Sequence, residues 1–269
     1  MNAEASAFVH RLFVASALAR EAGQIAKRRF LDRSSFTVGF KGPQDYLTEV
    51  DGEIERFIAT RLHATFADDG FIGEEGEGRV AKAGCPTWVV DPIDGTSNFA
   101  RGVPHFCISI GAMLERAVEV GVIYDPMVDE LFAARRGGGA TLNGLPIRAS
   151  SGADLKSATV EVGWNMRSSA DAFLGLLGRV VKTGSAVTRA GSGALALAYV
   201  ATGRLDGYVE NQINAWDCMA GIALAREAGA YVSDYLATDV LKRGAPIVAC
   251  GPALKESLIA AAAIPGLIP

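Results

Sequence analysis

The chain has 269 residues, and at roughly 150 residues per typical domain this length predicts one large domain or two subdomains that share a core. It contains neither a run of about 18 apolar residues nor a basic segment ahead of an apolar one, so we expect no membrane partner, no secretory signal and a cytoplasmic location. The 26 basic and 30 acidic residues give a net charge of −4, and without a basic run beyond residues 27–29 we expect no nucleic-acid partner.

The first half of the chain contains two helical patterns, followed by patterns typical of strands. Apolar residues recur every three or four positions in residues 3–30, which predicts a long amphipathic helix. After a predicted turn at residues 41–43, acidic residues that follow Thr48 predict a second helix over residues 48–66. Residues 86–91 predict a buried strand that Pro92 stops, because proline cannot donate to a sheet ladder. Short turns then separate three strand patterns, which predict an antiparallel meander over residues 106–114, 117–124 and 130–134.

Strand and helix patterns alternate in the second half of the chain. The predicted strands cover residues 158–162, 186–189, 206–210 and 247–250. The predicted helices cover residues 170–181, 192–201, 216–228 and 252–263. This alternation predicts sheets with helices packed on them. No repeat, low-complexity tract or linker is present, so we expect a single unit over residues 1–269 with only a soft subdivision near Ser150, into residues 1–150 and 151–269.

Cysteine and histidine usage narrows the chemistry that this chain can perform. The four cysteines are widely spaced and form no Cys-x-x-Cys pair, which argues against structural zinc and against a disulfide framework. None of the three histidines pairs with another at a spacing of four residues, so His-ligated zinc and His-based triads are not indicated. Any catalysis must therefore depend on carboxylates.

The densest group of polar residues is the segment DPIDGTSNF at residues 91–99, directly after a predicted buried strand. Asp91 and Asp94 can converge on one side of a turn that Pro92 stiffens, and hard oxygen ligands select Mg²⁺ or Mn²⁺. Gly95 and Thr96 offer backbone N–H groups to a phosphate oxygen at the start of a short helix. The alternative is a plain turn with a capping aspartate.

Three other acidic segments weaken that alternative. They are GEEG at residues 73–76, Asp51 in TEVD, and Asp217 in the Trp-Asp pair that opens a predicted helix. Together, residues 41–51, 71–75, 91–99 and 216–217 resemble the sequence blocks of the inositol monophosphatase family, which are Mg²⁺-dependent, lithium-sensitive sugar phosphatases. The order and spacing are similar over essentially the whole chain.

The resemblance implies a fold, an assembly and a set of metal ligands. The implied fold is α/β, a layered α/β/α/β/α sandwich of the inositol monophosphatase and fructose-1,6-bisphosphatase type, and the implied assembly is a homodimer. The first metal ion would be held by Glu74, Asp91 and the backbone carbonyl of Ile93, and the second by Asp91, Asp94 and Asp217. A third, weaker ion would use Glu74 and waters. The cofactor would be two to three Mg²⁺ ions, with Mn²⁺ as a possible substitute.

The resemblance also implies roles in catalysis. Thr96, paired with Asp51, would orient or deprotonate the attacking water, and Glu74 would complete the catalytic set. The amides of Gly95 and Thr96 would hold the phosphate, so no covalent phosphoenzyme is required. For Asp51 the alternative is a solvated acid in the first turn of a helix, and Lys41 is either a surface lysine or a loop residue over the metals.

Substrate contacts are a further implication. Glu210 would accept hydrogen bonds from sugar hydroxyls, and Gly193 would line the same pocket beside Asp94 and Asp217. For Glu210 and the loop at residues 191–193, plain turn chemistry is the alternative. The chain departs from the family at Gly193, at residues 164–165 and at Met219. These departures leave open which alcohol carries the phosphate in the substrate. Inositol monophosphate is the leading substrate and histidinol phosphate the alternative; fructose bisphosphate and a phosphoadenosine nucleotide rank lower.

A rival motif points to a different class of protein. The segment GSGALA at residues 191–196 fits G-x-G-x-x-A between a predicted strand and a predicted helix, and Glu210 follows nineteen residues after Gly191, as in NAD-dependent oxidoreductases. Too little sequence follows it for a doubly wound domain, and it leaves the acidic segments unexplained. A binding protein without catalysis would be indicated by loss of a metal ligand, and none is lost.

Overall fold

The computed structural model describes the backbone of residues 3–42, 45–76 and 78–269, and side chains within residues 6–39, 48–76 and 78–269. The predicted turn at residues 41–43 includes Pro43, which lies outside the described residues, as does the side chain of Lys41. The described helices are α1 (Ala3–Leu31), α2 (Glu49–Thr65), α3 (Thr96–Arg101), α4 (Ala170–Lys182), α5 (Gly193–Ala201), α6 (Ala215–Glu227), α7 (Val240–Arg243) and α8 (Lys255–Ala262).

A hairpin and an eight-stranded sheet form the first half of the chain. The hairpin pairs β1 (Val38–Gly42) with β2 (Asp45–Thr48). The strands of the sheet are β3 (Gly70–Gly73), β4 (Gly78–Arg79), β5 (Thr87–Asp94), β6 (Cys107–Leu114), β7 (Ala117–Asp125), β8 (Glu130–Arg135), β9 (Gly139–Leu142) and β10 (Leu145–Pro146). Their order is β10-β9-β8-β7-β6-β5-β3-β4, and only β3 and β5 pair in parallel among these described strands. The predicted antiparallel meander is confirmed as β6, β7 and β8.

The second half contains a smaller, mixed sheet. Its five strands are β11 (Thr159–Val162), β12 (Ala186–Thr188), β13 (Gly207–Ile213), β14 (Tyr231–Val232) and β15 (Ala245–Cys250). They run in the order β12-β11-β13-β15-β14, with β11 parallel to both of its neighbours and β15 antiparallel to both of its own. The predicted alternation of strands and helices is confirmed.

The helices separate into three layers around the two sheets. Helices α1 and α2 cover the outer face of the eight-stranded sheet, α5 and α6 fill the space between the sheets, and α4 and α8 cover the outer face of the smaller sheet. Each interface has its own cluster of buried apolar side chains. The predicted α/β/α/β/α sandwich is thus confirmed.

The middle layer is closely packed at positions where small residues occur. A Cβ atom added at Gly121 of β7 would lie 2.3 Å from the carbonyl oxygen of Ala220 in α6. One added at Gly221 would lie 2.4 Å from Cβ of Leu197 in α5. Neither position has room for a larger residue, so Gly121 sets how closely the large sheet approaches α6, and Gly221 sets how closely α6 approaches α5.

Two strand predictions were wrong at their ends. Pro92 does not stop β5, which continues to Asp94 with a register shift between Asp91 and Asp94 opposite β6. A proline is tolerated there because the irregularity removes the need for its missing N–H group. Glu210 does not end its strand either, since β13 continues to Ile213 after a similar shift. Within the described residues, no helix is both long and apolar enough to cross a membrane.

Candidate metal centre and active site

Three of the predicted metal ligands converge between the two halves of the chain. Asp91 and Asp94 lie on either side of the irregularity in β5, and Asp217 lies in the first turn of α6. Each offers a carboxylate oxygen, and these three oxygens lie within 4.8 Å of one another. Asp91 is 2% exposed and Asp94 is 7% exposed, whereas Asp217 is half-buried.

Hydrogen bonds fix the orientation of each carboxylate. Oδ1 of Asp91 accepts the N–H of Ile93 at 2.9 Å. Oδ2 of Asp94 accepts the hydroxyl of Ser192 and, at 2.7 Å, the N–H of Ala194 at the start of α5. Oδ2 of Asp217 accepts the backbone and side-chain N–H groups of Asn214 at 3.2 and 3.1 Å.

The electrostatics of this group favour a bound cation. Burial, followed by the charges of Glu74, Asp94 and Asp217, raises the pKa of Asp91 well above its usual range. Burial and the Asp217 carboxylate raise the pKa of Asp94 to about 7, and burial raises that of Asp217. Buried carboxylates that repel one another need either protons or a metal ion. A donor set of carboxylate oxygens fits a hard cation such as Mg²⁺.

The two remaining predicted ligands lie beside this group. Glu74 follows β3, its N–H donates to the carbonyl of Val90 at 3.2 Å, and its charge is the largest electrostatic influence on Asp91. Its carboxylate is not among the three oxygens within 4.8 Å. The carbonyl of Ile93 accepts the hydroxyl of Thr96 at 2.9 Å. Their ligation of a metal stays a prediction.

The predicted pair of Thr96 and Asp51 is in hydrogen-bonding contact. The Thr96 hydroxyl lies 3.2 Å from Oδ1 of Asp51. The other oxygen, Oδ2, accepts the N–H and the hydroxyl of Thr48 at 2.9 and 2.5 Å, so Asp51 is a buried residue and not a solvated acid. Burial raises the pKa of Asp51 to about 6, despite these hydrogen bonds.

Gly95 occupies the turn between β5 and α3, where only glycine fits. Its φ angle is 100°, and a Cβ atom would lie 2.9 Å from the carbonyl oxygen of His105. Helix α3 begins at Thr96, as the sequence predicts. The assignment of the Gly95 and Thr96 amides to phosphate stays a prediction.

A cavity of about 150 Å³ adjoins the aspartates on the side of the smaller sheet. Glu210, Gly193, Asp94 and Asp217 all line it. Their role as substrate contacts stays a prediction. Glu210 is 5% exposed and is held by Asn165, whose Nδ2 donates at 3.0 Å, and by the Tyr208 hydroxyl. Burial raises its pKa to about 8. Plain turn chemistry is wrong for Glu210, which lies inside a strand.

Sequence reasoning missed several residues that shape the site. Ser192, one of them, holds Asp94 and also caps α5 by accepting the Leu195 N–H at 3.2 Å. A serine directly before a helical pattern is an N-cap signal that could have identified it. Glu161, another, is 4% exposed and lines the same cavity. A lone acid within the apolar strand β11 was its signal.

The dinucleotide motif has another use in this fold. The start of α5, where a pyrophosphate would bind, already donates to the Asp94 carboxylate through Ser192 and Ala194. Moreover, the smaller sheet is mixed and not doubly wound. The structure therefore favours a structural role for residues 191–196 over an NAD site.

We expect the metal-free protein to lose stability as the pH rises. Asp51, Asp94 and Glu210 have folded-state pKa values of about 6, 7 and 8, above the usual 3.8 for Asp and 4.5 for Glu. Because the folded state binds more protons than the unfolded state, their contribution is complete below about pH 4 and is lost as the pH passes through about 6 to 8. In EDTA, Tm should therefore fall between about pH 5 and 8.

Mg²⁺ should raise Tm more at about pH 8 than at about pH 5, since protons and cations compete for the same carboxylates. Differential scanning calorimetry of wild type and Asp94→Asn measures this, and the variant should show a flatter decline. A metal-free Tm that is constant over this pH range would contradict the assignment.

Comparisons with known proteins agree with this geometry. The chain matches the inositol monophosphatase family over residues 9–264. It is 40% identical over 218 residues to the inositol-1-monophosphatase of Rhizobium meliloti, covering 80% of this chain and 81% of that protein. It is 36% identical over 251 residues to the Nus factor SuhB of Salmonella typhimurium (strain LT2), covering 93% of this chain and 94% of that protein.

A solved structure shows the same fold. The extragenic suppressor protein suhB from Bartonella henselae superposes with a TM-score of 0.86 at 34% identity, over 94% of this chain and 98% of that one. The match of sequence covers both halves of the chain, and the match of structure covers both sheets and the middle layer. The chain belongs to the inositol monophosphatase family.

Proposed function

We propose that this protein hydrolyses inositol monophosphate to inositol and phosphate in a Mg²⁺-dependent reaction. Membership of a phosphatase family makes small phosphorylated compounds its class of substrate. The observation that carries the proposal is the convergence of Asp91, Asp94 and Asp217, next to the hydrogen-bonded pair of Thr96 and Asp51. By resemblance, the protein would act as a homodimer.

The metal would be held by residues that lie at the meeting point of the two halves. Asp91, Asp94 and Asp217, with Glu74 and the Ile93 carbonyl beside them, would hold two to three Mg²⁺ ions, or Mn²⁺ in their place. When bound, the ions offset the carboxylate charge, polarise the phosphate and lower the pKa of water. Without that offset, the buried acids would repel a phosphate dianion.

The chain's own residues would move the proton. The Thr96 hydroxyl contacts Oδ1 of Asp51 at 3.2 Å, so it would take a proton from the entering water while passing its own to Asp51. Water oxygen bonds to phosphorus, the bond from phosphorus to the alcohol oxygen breaks, and the alkoxide takes a proton from solvent. The amides of Gly95 and Thr96 would hold the phosphate oxygens through these steps.

The test is a phosphate-release assay over a panel of monoesters. Inositol 1-phosphate should give the highest kcat/KM, ahead of histidinol phosphate, fructose 1,6-bisphosphate and a phosphoadenosine nucleotide. EDTA should abolish release and Mg²⁺ should restore it, and Li⁺ should inhibit. Full activity in exhaustively chelated protein would contradict the metal assignment. A higher kcat/KM for histidinol phosphate would contradict inositol monophosphate as the substrate.

Glu210→Gln should weaken turnover of inositol phosphate chiefly through KM. The substitution preserves packing, because the Gln oxygen can accept from Asn165 while its amide donates to the Tyr208 oxygen. A neutral hydrogen bond contributes about 1 kcal/mol, so KM for inositol phosphate should rise by about fivefold. Histidinol phosphate would instead present an ammonium group to Glu210, and loss of that charge-assisted hydrogen bond should cost about 1.5 to 3 kcal/mol of binding free energy.

Turnover of p-nitrophenyl phosphate supplies the control for this variant, because that ester lacks the hydroxyls that Glu210 would contact. It should be hydrolysed almost equally by wild type and Glu210→Gln. If all three esters lose activity equally, Glu210 acts on the metal centre and not on the alcohol.

A second candidate function comes from the relatives named Nus factor SuhB, which match this chain at nearly full length. We propose, as this second candidate, a role as a Nus factor that requires the fold but not hydrolysis. The two functions can be separated in a strain that lacks the gene. Rescue by a folded Asp91→Asn variant would support the second candidate, and rescue by wild type alone would support hydrolysis.

A further inference from the structure

The loop between β12 and α5 is held at one peptide by side chains from two other elements. The N–H of Ala190 donates to Oε1 of Glu161 in β11 at 3.0 Å. The carbonyl of the same residue accepts Nδ2 of Asn98 in α3 at 2.9 Å. We call this arrangement, Ala190 held by Asn98 and Glu161, the Ala190 clamp.

Each clamping side chain is also fixed on its other side. Nδ2 of Asn98 donates a second hydrogen bond to the carbonyl of His105 at 2.8 Å, on the segment that leads into β6. Oε2 of Glu161 accepts the hydroxyl of Thr188 at 3.2 Å. The clamp therefore ties α3 to the smaller sheet. Helix α3 directly follows Gly95, whose amide is predicted to bind phosphate.

The clamped loop leads directly to the groups that orient Asp94. Two residues after Ala190, the Ser192 hydroxyl donates to Oδ2 of Asp94, and the Ala194 N–H donates to the same oxygen at 2.7 Å. These bonds join residues 98 and 100 positions apart in the chain, so local structure cannot maintain them. They depend on where the loop places the first turn of α5.

We propose that Asn98 and Glu161 are positioning residues of the metal centre. By holding both polar groups of the Ala190 peptide, they set the start of α5, and thereby the orientation in which the Asp94 carboxylate meets Asp91 and Asp217. This inference rests on the proposed metal centre and not on the identity of the phosphorylated alcohol.

The chemistry of the two side chains explains why these residue types are needed. Asn98 faces two carbonyl oxygens, so it must supply two N–H groups from one nitrogen, which an amide does and a carboxylate does not. Glu161 faces two donors, so it must supply acceptors. Glutamine keeps one acceptor for the Ala190 N–H, whereas methionine keeps none, so the pair Glu161→Gln and Glu161→Met separates hydrogen bonding from side-chain volume.

Isothermal titration of the metal-free protein with Mg²⁺ tests the proposal without an activity assay. Asn98→Asp and Glu161→Met should each raise the Mg²⁺ dissociation constant by about 10- to 100-fold, the usual effect of losing a group that orients a ligand. Glu161→Gln should bind Mg²⁺ nearly as wild type does. The double variant Asn98→Asp/Glu161→Met should lose much less Mg²⁺ affinity than the product of the two single fold-losses, because either substitution alone releases the same Ala190 peptide.

Asn143→Asp is the matched control. The Nδ2 of Asn143 also donates to a backbone carbonyl, that of Asp129 at 3.0 Å, but in the turn between β9 and β10. It should change Tm and leave the Mg²⁺ affinity unchanged. Near-UV circular dichroism checks folding of every variant, and Asn98→Ser, which introduces no charge, replaces Asn98→Asp if the latter does not fold.

The outcomes separate this inference from the proposed function. Wild-type Mg²⁺ affinity in a folded Asn98→Asp or Asn98→Ser variant would overturn the clamp, as would fully multiplicative losses in the double variant. Weakened Mg²⁺ binding in these variants, combined with no hydrolysis of any ester by wild type, would support the clamp and refute the function. A wild-type protein that binds no Mg²⁺ would overturn both.

Discussion

Asp91→Asn should lower kcat by about 10³-fold or more and should raise the Mg²⁺ concentration needed for the residual activity. Asp91 lies at the centre of the acidic group, where the charges of Glu74, Asp94 and Asp217 all influence its pKa. Asparagine keeps the shape and can still accept the Ile93 N–H, so the change removes charge and not packing. Several kcal/mol of charge stabilisation depend on the metal, and each 1.36 kcal/mol is about tenfold in rate.

Asp125→Asn provides a closely matched control. Asp125 is also 2% exposed, and its Oδ1 accepts the N–H of the residue two positions later, Met127, at 2.8 Å. Its pKa is also raised by burial, yet it is not one of the three clustered carboxylates. Steady-state kinetics and Mg²⁺ titration of both variants measure the difference. Equal losses of kcat and of Mg²⁺ affinity in the two variants would mean that Asp91 acts through folding and not through the metal centre.

Thr96→Ala should leave Mg²⁺ affinity nearly unchanged and lower kcat by about 10²- to 10⁴-fold, the range expected when general-base assistance is lost. The hydroxyl contacts Oδ1 of Asp51 at 3.2 Å and the Ile93 carbonyl at 2.9 Å, but it is not among the clustered carboxylates. Thr96→Ser keeps the hydroxyl and should recover most of the rate. Single-turnover phosphate release at saturating Mg²⁺ is the measurement.

Thr202→Ala is the control for this variant. The Thr202 hydroxyl also bonds to the carbonyl three residues earlier, that of Tyr199 at 3.1 Å, at the end of α5. It should leave kcat unaffected. If Thr96→Ala and Asp91→Asn show the same dependence on Mg²⁺, the division between metal binding and proton transfer is wrong.

Local patterns in the sequence were sufficient to predict most helices and the meander. Helix α1 shows its three- and four-residue apolar spacing, and α2 shows acids in its first turn after Thr48. Asp91 and Asp94 were identified because their types and spacing indicate hard-metal chemistry, whereas the role of Asp217 was implied by the resemblance to the family. These features depend on neighbours in the chain, so a single sequence contains them.

Features that depend on tertiary contacts could not be predicted in this way. The passage of β5 through Pro92 depends on its register against β6, which no property of residues 87–94 alone determines. The role of Ser192 depends on Asp94, which lies in another layer of the fold. The clamp on Ala190 joins three elements, and each of its members has an ordinary role when considered alone.

The position of α6 in the middle layer has a consequence for how the protein folds. Asp217 reaches Asp91 and Asp94 only when α6 packs against the large sheet, so the acidic group is assembled by the closure of the two halves. Before closure, each carboxylate is solvated and ionised near neutral pH. Closure must therefore take up protons or cations from solution, so the ionic composition of the surrounding medium contributes to the stability of the closed fold.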